Sequence, residues 1–280
     1  MRIAQISDTH ISRVHNQFRH NKDVVGNWLA EQDLDLIVNT GDLSMNGAVT
    51  ADDLEDAIKW HRDLGGPFLC IPGNHDVGDM PDLRADQGLN SERLDRYRAI
   101  VGPDRWVHEI GGWRLVGINA MLLGTGHPDE EDQFGWIENA LAGTSAVAFF
   151  MHKPLFVQDP NEGPCGYWTV RPEPRARLLA LLAQADIRLI ASGHLHVGRQ
   201  ATFSGVPHVW CPSSAFVCGE SQGSEIPGQR RVGAVIHDFT LNEVTSRLVF
   251  LDEAEDFRIE PHLGSIYPEP TEADLIQAAS

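Results

Sequence analysis

Over its first seventy residues the chain alternates apolar strand and amphipathic helix, a rhythm that few folds accept. Residues 2–7 read as a strand, and 21–31 as a helix with Val24, Val25, Trp28 and Leu29 on or near one face. Residues 34–40 form a second strand. Thr50 then opens a helix, with Asp53 three positions on as a capping-box-like partner and Leu54, Ala57 and Ile58 on the inner face. Residues 67–71 complete the series. Strands joined through helices pair in parallel, because each crossover returns the chain to the same end of the sheet.

Downstream the pattern loosens. Residues 106–110 and 113–119 flank Gly111-Gly112, a hairpin signal. A helix carrying Phe134, Ile137 and Leu141 precedes a strand at 146–151. A Pro- and Gly-rich loop at 158–174, a helix at 175–185 and a strand at 187–192 follow. Short strands near 201–203, 208–211, 232–239 and 246–251 suggest an antiparallel second half. The expected fold is α/β: a four-layer α-β-β-α sandwich of two mixed sheets flanked by helices. It occupies residues 1–251, with a weakly specified tail over 252–280.

Composition narrows the partners. With 22 Lys and Arg against 40 Asp and Glu, the net charge is −18, which argues against a nucleic-acid polymer. A small anion is still accepted, since bound dications invert the local field. No run of eighteen apolar residues predicts a membrane span, and the first residues read as a strand rather than a signal peptide, so a cytoplasmic location is expected. Cys70, Cys165, Cys211 and Cys218 have no metal-binding spacing; Cys70 and Cys211 read as small buried apolar residues.

Five segments share one property: an apolar strand ends and metal-capable side chains follow at once. They are Ile6-Ser7-Asp8-Thr9-His10, Asn39-Thr40-Gly41-Asp42, Pro72-Gly73-Asn74-His75-Asp76, Phe149-Phe150-Met151-His152-Lys153-Pro154 and Ser192-Gly193-His194-Leu195-His196. Ligands bind at one rim of an open α/β sheet, beyond the strand ends. Taken singly, Asp8 or Asp42 would be a cap or turn residue, Asn74 a turn residue and His152 a hydrogen-bonded histidine. Together they converge on a metal site. Residues two apart on an extended strand share a face, which predicts that Asp8 joins His10 and His194 joins His196 from one side. Carboxylate oxygen with imidazole nitrogen suits manganese or iron, and also zinc or cobalt. Gly41, Gly73 and Gly193 sit where a Cβ would obstruct the approach to a ligand.

In order, these segments resemble the calcineurin-like metallophosphoesterase superfamily: D-x-H, GD, GNHD, H-x-P and GHxH. The versions ISDTH, IPGNHD, MHKP and GHLH are similar to the branch of bacterial cyclic-nucleotide phosphodiesterases and glycerophosphodiesterases. The resemblance implies two metal ions. Asp8, His10, Asp42 and His196 would hold one; Asp42, Asn74, His152 and His194 would hold the other, with Asp42 bridging. His75 matches the histidine that contacts the phosphoryl oxygen or assists the leaving group, and Asp76 would support the loop or that histidine through a hydrogen bond. Many relatives read H-H-P where this chain has His152-Lys153-Pro154, and Lys153 reads as a solvated lysine or else as a cation near the substrate's distal group.

The implied reaction is in-line hydrolysis of a small phosphate ester by water that bound dications acidify. Small phosphodiesters, cyclic nucleotides or glycerophosphodiesters, are the expected substrates. The same site would equally serve a phosphomonoesterase or nucleotide pyrophosphatase, and a non-catalytic scaffold would have lost ligands. Arg13, His15, Arg19, Lys22 and Asn46 are candidates for the mouth, or else solvated. Tyr167 and Trp168 could wall the substrate site or pack on the core. The irregular C-terminal third could supply a homo-oligomer surface.

Overall fold

A computed structural model describes residues 1–83, 87–143, 145–219, 223 and 225–266. In chain order its elements are β1 (Arg2–Ile6), α1 (Arg19–Ala30), β2 (Leu36–Asn39), α2 (Ala51–Asp63), β3 (Phe68–Cys70), α3 (Asn74–Val77), α4 (Ser91–Ile100), β4 (Trp106–Ile110) and β5 (Trp113–Gly117). There follow α5 (Pro128–Leu141), β6 (Ala146–Phe150), α6 (Pro172–Leu182), β7 (Ile187–Ser192), β8 (Arg199–Phe203), β9 (Val206–Trp210), β10 (Gly233–Phe239) and β11 (Val244–Phe250).

The strands form two sheets, ordered β11-β10-β1-β2-β3 and β4-β5-β6-β7-β9-β8. β1, β2 and β3 are parallel, as their intervening helices require, and β5, β6, β7 and β9 are parallel in the second sheet. The last third is therefore less uniformly antiparallel than its short strands suggest. The β8–β9 hairpin delivers β9 alongside β7 in parallel, while β10 crosses to the other sheet and pairs antiparallel with β1.

Period-two alternation explains the layers. Ile3, Leu115, Ala148, Phe150, Leu189 and Ala191 face the space between the sheets, where Trp113 and Val235 join them. Ala4 and Ile6 face outward onto Val25 and Leu29 of α1. Val147 and Phe149 face outward onto Ile137 of α5 and Leu178 of α6. The result is the four-layer α-β-β-α sandwich. Each fully buried Phe contributes roughly 1.5–3 kcal/mol relative to exposure. Buried Gln5 crosses the interior, its amide donating to Thr40 Oγ1 at 3.0 Å and to the Ser192 carbonyl at 3.1 Å. That ties the end of β2 to the end of β7, where two of the motifs begin.

Local chemistry sets the helix starts. Thr50 Oγ1 accepts from the Asp52 amide at 3.3 Å, and acids occupy the first turn of α2 with His61 and Arg62 in the last, as the helix dipole favours. Asp53 does not complete a capping box; its carboxylate instead accepts from the Arg13 amide at 2.9 Å and pins the loop after β1. α4 begins where Asn90 Oδ1 accepts from the Arg93 amide.

Residues 252–266, assigned above to a tail, pack as part of the body. Ile259 and Ile266 join Phe18, Met45, Ala215, Phe216 and Cys218 in one apolar cluster, and Arg258 bridges to Val217. Residues 267–280 of that expectation lie outside the described residues. Cys70 and Cys211 are buried free thiols whose pKa burial pushes well up. No described helix is long and apolar enough to cross a membrane.

Candidate metal centre

The five motifs leave the carboxyl ends of β1, β2, β3, β6 and β7 on one rim of the sandwich. Convergence arises differently from strand alternation. β1 stops at Ile6 and β7 at Ser192, so Asp8, His10, His194 and His196 all lie beyond extended backbone. Each adopts left-handed φ, at 54°, 42°, 70° and 52°, and Asp42 does so at 51°. Non-glycine residues in this region carry strain of about 1–3 kcal/mol each, which the surrounding structure must hold. It is held by the loop-to-loop ladder: the Asp8 amide donates to Gly41 O at 2.9 Å, His10 to Asp42 O at 3.0 Å and Ile11 to Leu43 O at 3.0 Å.

Backbone carbonyls orient the rings. A carbonyl only accepts, so the ring nitrogen facing it must donate. His152 Nδ1 donates to Thr40 O at 2.8 Å, His196 Nδ1 to Phe216 O at 2.8 Å and His75 Nδ1 to Met45 O at 2.7 Å, leaving Nε2 of each turned inward. His194 is reversed: Nε2 donates to Tyr167 O at 2.9 Å, and Nδ1 is left for the site.

The inward atoms meet. His10 Nε2 lies 3.3 Å from His196 Nε2, and Asp8 Oδ1 lies 3.3 Å from His196 Nε2. Asp42 Oδ2 stands between the two halves, 3.8 Å from His10 Nε2 and 3.4 Å from His152 Nε2. Asn74 Oδ1 is 3.2 Å from His152 Nε2. Among the described residues three groups could hold an ion: Asp8 with His10 and His196; Asp42 with His152 and His194; and His10 with Asp42 and His75. Asp42 belongs to two of them. Its other oxygen accepts from the His75 amide at 2.8 Å.

Such an array of buried carboxylates and imidazoles is what a cation would stabilise. Burial alone would raise the Asp8 carboxyl, but the charges of His196 and His152 outweigh it and hold it well below the usual range. Asp42 is likewise lowered against its burial, by His152 and His75. Burial keeps His10 and His194 neutral, assisted by the charges of His75 and His152 respectively. His152 is raised to about 9 against its burial, by Asp42 and then Asp8. A dication binding at neutral pH must therefore displace a proton from His152.

Close packing enforces the arrangement. A Cβ on Gly41 would lie 2.6 Å from His152 Nδ1, on Gly73 2.1 Å from Asp42 Oδ1, and on Gly193 1.9 Å from Ser7 Oγ and 2.9 Å from Asp8 Oδ2. Asp76 ties two motifs by four hydrogen bonds, accepting from Leu43 N, Ser44 N, Ser44 Oγ and Gly73 N.

Lys153 corrects the expectation of a solvated lysine. It is buried, and Nζ donates to both oxygens of buried Asp79, at 2.7 and 2.8 Å. Arg13 pairs with Asp52 and Asp56 at the surface. Arg13, His15, Arg19 and Lys22 line a cavity of about 370 Å³ that Thr9 and His10 also line. Sequence reasoning missed the carbonyls of Thr40, Met45 and Phe216 and the hydroxyl of Ser213, which donates to Asp8 O at 3.1 Å. Carbonyls carry no residue-type signal. Tyr167 is at the site: its hydroxyl accepts from Asn74 Nδ2 at 2.9 Å, and its ring centroid lies 4.7 Å from that of His194.

The family model for calcineurin-like phosphoesterases matches residues 1–198. The chain belongs to this family. Among curated relatives, the serine/threonine-protein phosphatase CPPED1 of Bos taurus is 26% identical over 213 residues, 72% of this chain and 62% of that protein. The cAMP/cGMP dual specificity phosphodiesterase of Mycobacterium tuberculosis is 30% identical over 179 residues, 62% of this chain and 52% of that protein. The match thus spans about three fifths and half of their lengths. A dimetal phosphatase from Danio rerio has the same fold, with a TM-score of 0.59 at 14% identity, covering 92% of this chain and 98% of that one. The family's fold implies divalent metal ions, and the Asp, His and Asn donors gathered here fit such ions.

Proposed function

We propose that the chain hydrolyses small phosphodiesters at a centre of two metal ions, with cyclic nucleotides and glycerophosphodiesters as the substrate classes. Asp8, His10, Asp42 and His196 would hold one ion; Asp42, Asn74, His152 and His194 would hold the other. Manganese or iron suits this oxygen-nitrogen set best. The observation that carries the reading is the position of Asp42 Oδ2, shared between His10 on one side and His152 on the other.

When bound, the ions supply positive charge that neutralises the phosphoryl oxygens and acidifies water for in-line attack. The chain's own residues do the rest. The carbonyls of Thr40, Phe216 and Tyr167 fix the ring orientations of His152, His196 and His194, so the inward nitrogen of each, once free of its proton, turns a lone pair to the site without ring rotation. His75 has Nδ1 committed to Met45 O, so its Nε2 donates to the departing alkoxide only as imidazolium.

Charge supports diesters over monoesters. A monoester brings an extra negative charge, and sites for it add cationic partners. The lysine adjoining the fourth motif is committed to Asp79 by both carboxylate oxygens, and Arg13 to Asp52 and Asp56. The similarity to a protein phosphatase favours a second reading, a phosphomonoesterase on the same site. Manganese-loaded protein assayed in parallel on bis(para-nitrophenyl) phosphate and para-nitrophenyl phosphate separates them. The proposal expects kcat/KM at least about tenfold higher for the diester, about 1.4 kcal/mol of transition-state preference; the reverse order would establish the phosphomonoesterase.

A further inference from the structure

Gln5 of β1 lies between the two sheets, and its surroundings fix which way its amide points. The Ser192 carbonyl only accepts, so Gln5 Nε2 lies there, at 3.1 Å, and gives its second hydrogen to Thr40 Oγ1 at 3.0 Å. Gln5 Oε1 is left facing His237 Nε2 of β10, 3.1 Å away. That oxygen only accepts, so Nε2 carries the ring proton and Nδ1 accepts from Ser246 Oγ of β11 at 2.7 Å. Burial keeps His237 neutral, pushing its pKa down to about 3. One directed relay of hydrogen bonds therefore runs from β11 through β10 and β1 to the ends of β2 and β7.

Both ends of the relay reach the same ligand. Thr40 O accepts from His152 Nδ1 at 2.8 Å, and the amide after Ser192, that of Gly193, donates to His152 O at 3.0 Å. His194 lies two residues beyond Ser192. Gln5 and His237 are fully buried, and Phe150 packs beside the imidazole. Stability does not require polar groups there, since replacing both partners of a buried hydrogen bond by apolar groups of the same shape is close to neutral. An apolar pair would not hold Thr40 and Ser192 in one fixed relation, as a satisfied polar network does.

We infer that Gln5 and His237 are positioning residues for the ion held by Asp42, Asn74, His152 and His194: their relay from Ser246 sets the two backbone segments that aim His152. This rests on the two-metal reading and gives the C-terminal third a part in it.

Manganese titrations of His237→Gln and His237→Asn, followed by calorimetry, distinguish this from a purely structural role. A Gln amide extends as far as Nε2 and still donates to Gln5 Oε1, whereas the shorter Asn amide ends where Nδ1 was and keeps only Ser246. Groups that orient a metal ligand are worth about 10–100-fold in affinity, and this relay acts one step further out, so the lower figure applies. Both manganese Kd values should be parental in His237→Gln, and one of the two about tenfold weaker in His237→Asn. Parental affinity at both positions in His237→Asn overturns the inference, even if its urea midpoint falls, and so does equal weakening in the two variants. Should His237→Asn not fold, the double variant Gln5→Leu with His237→Leu takes the same test. It orphans neither end, because Thr40 Oγ1 keeps Ile6 O and Ser192 O keeps the Cys211 amide. Failure of both to fold would confine the relay to folding and overturn the inference as well. A parent that binds two manganese ions, with variants that respond in this way, yet hydrolyses no ester would sink the proposed function and leave the positioning role standing. A parent that takes up no manganese would remove both.

Discussion

Gly73→Ala is the smallest change that should dismantle the site. The added Cβ would lie 2.1 Å from Asp42 Oδ1, 2.4 Å from Asp42 N and 2.7 Å from its Cγ, whereas ordinary contact begins at 3.4 Å. The backbone nitrogen cannot rotate away, so the loops must part by the difference between 3.4 and 2.4, or 1.0 Å. That displacement falls on the residue both halves share. It also stretches the bonds from Asp76 to Gly73 N and Leu43 N, at 2.9 and 3.0 Å, which tie the same two loops. A misplacement of about 1 Å at a reacting centre costs on the order of 100-fold in rate. Global stability should fall by only about 1–3 kcal/mol, as for other overpacked sites. Metal analysis and the rate on bis(para-nitrophenyl) phosphate, with urea unfolding as control, read the three quantities. A folded Gly73→Ala protein with parental metal content and rate would refute the reasoning.

Other consequences are separately measurable. His75→Ala should keep its metal and lose roughly 10²–10⁴-fold in turnover of the aryl diester; parental turnover would contradict the role. Asp79→Ala leaves the Lys153 ammonium buried without its partner and should cost about 3–5 kcal/mol in urea unfolding, while Asp79→Leu with Lys153→Met should be near neutral. A loss below about 1 kcal/mol in the single variant would contradict the buried pair. Burial holds His61 down to about 4 against an ordinary 6.5, the Ala57 carbonyl opposing only in part. The unfolded chain alone takes up that proton between pH 6.5 and 4, so the stabilisation is complete above 6.5 and is lost as pH falls. Metal-free parent should therefore lose stability relative to His61→Gln by about 1.4 kcal/mol per pH unit in that window, and a constant difference would refute it.

Much of this was legible in the residues because strand ends are punctuated. Ile6, Asn39, Phe150 and Ser192 each close an apolar run, and the side chains that follow meet at one rim. Strand alternation would place Asp8 with His10 and His194 with His196; Asp8 and His10 do share a group, with His196, whereas His194 falls in the group of Asp42 and His152, and none of the four lies on a strand. Left-handed φ at five non-glycine positions has no composition signal; it is imposed by loops up to 186 residues away in sequence, as the contact of His194 N with Asp8 Oδ2 illustrates. Lys153 was misread for a similar reason, since its partner Asp79 is 74 residues distant. α4 was unanticipated because only Leu94 and Tyr97 of its ten residues are buried, too few to mark a face. Residues 252–266 resemble a solvated acidic tail until Ile259 and Ile266 are seen filling the space beside Phe18 and Phe216.

Asp42 is proposed to join two metal positions. Anomalous scattering at the manganese edge from crystals of manganese-loaded protein measures this directly. Two peaks are expected, about 3.5–4 Å apart on either side of the Asp42 carboxylate. A single peak, or ions bound away from Asp42, would contradict it.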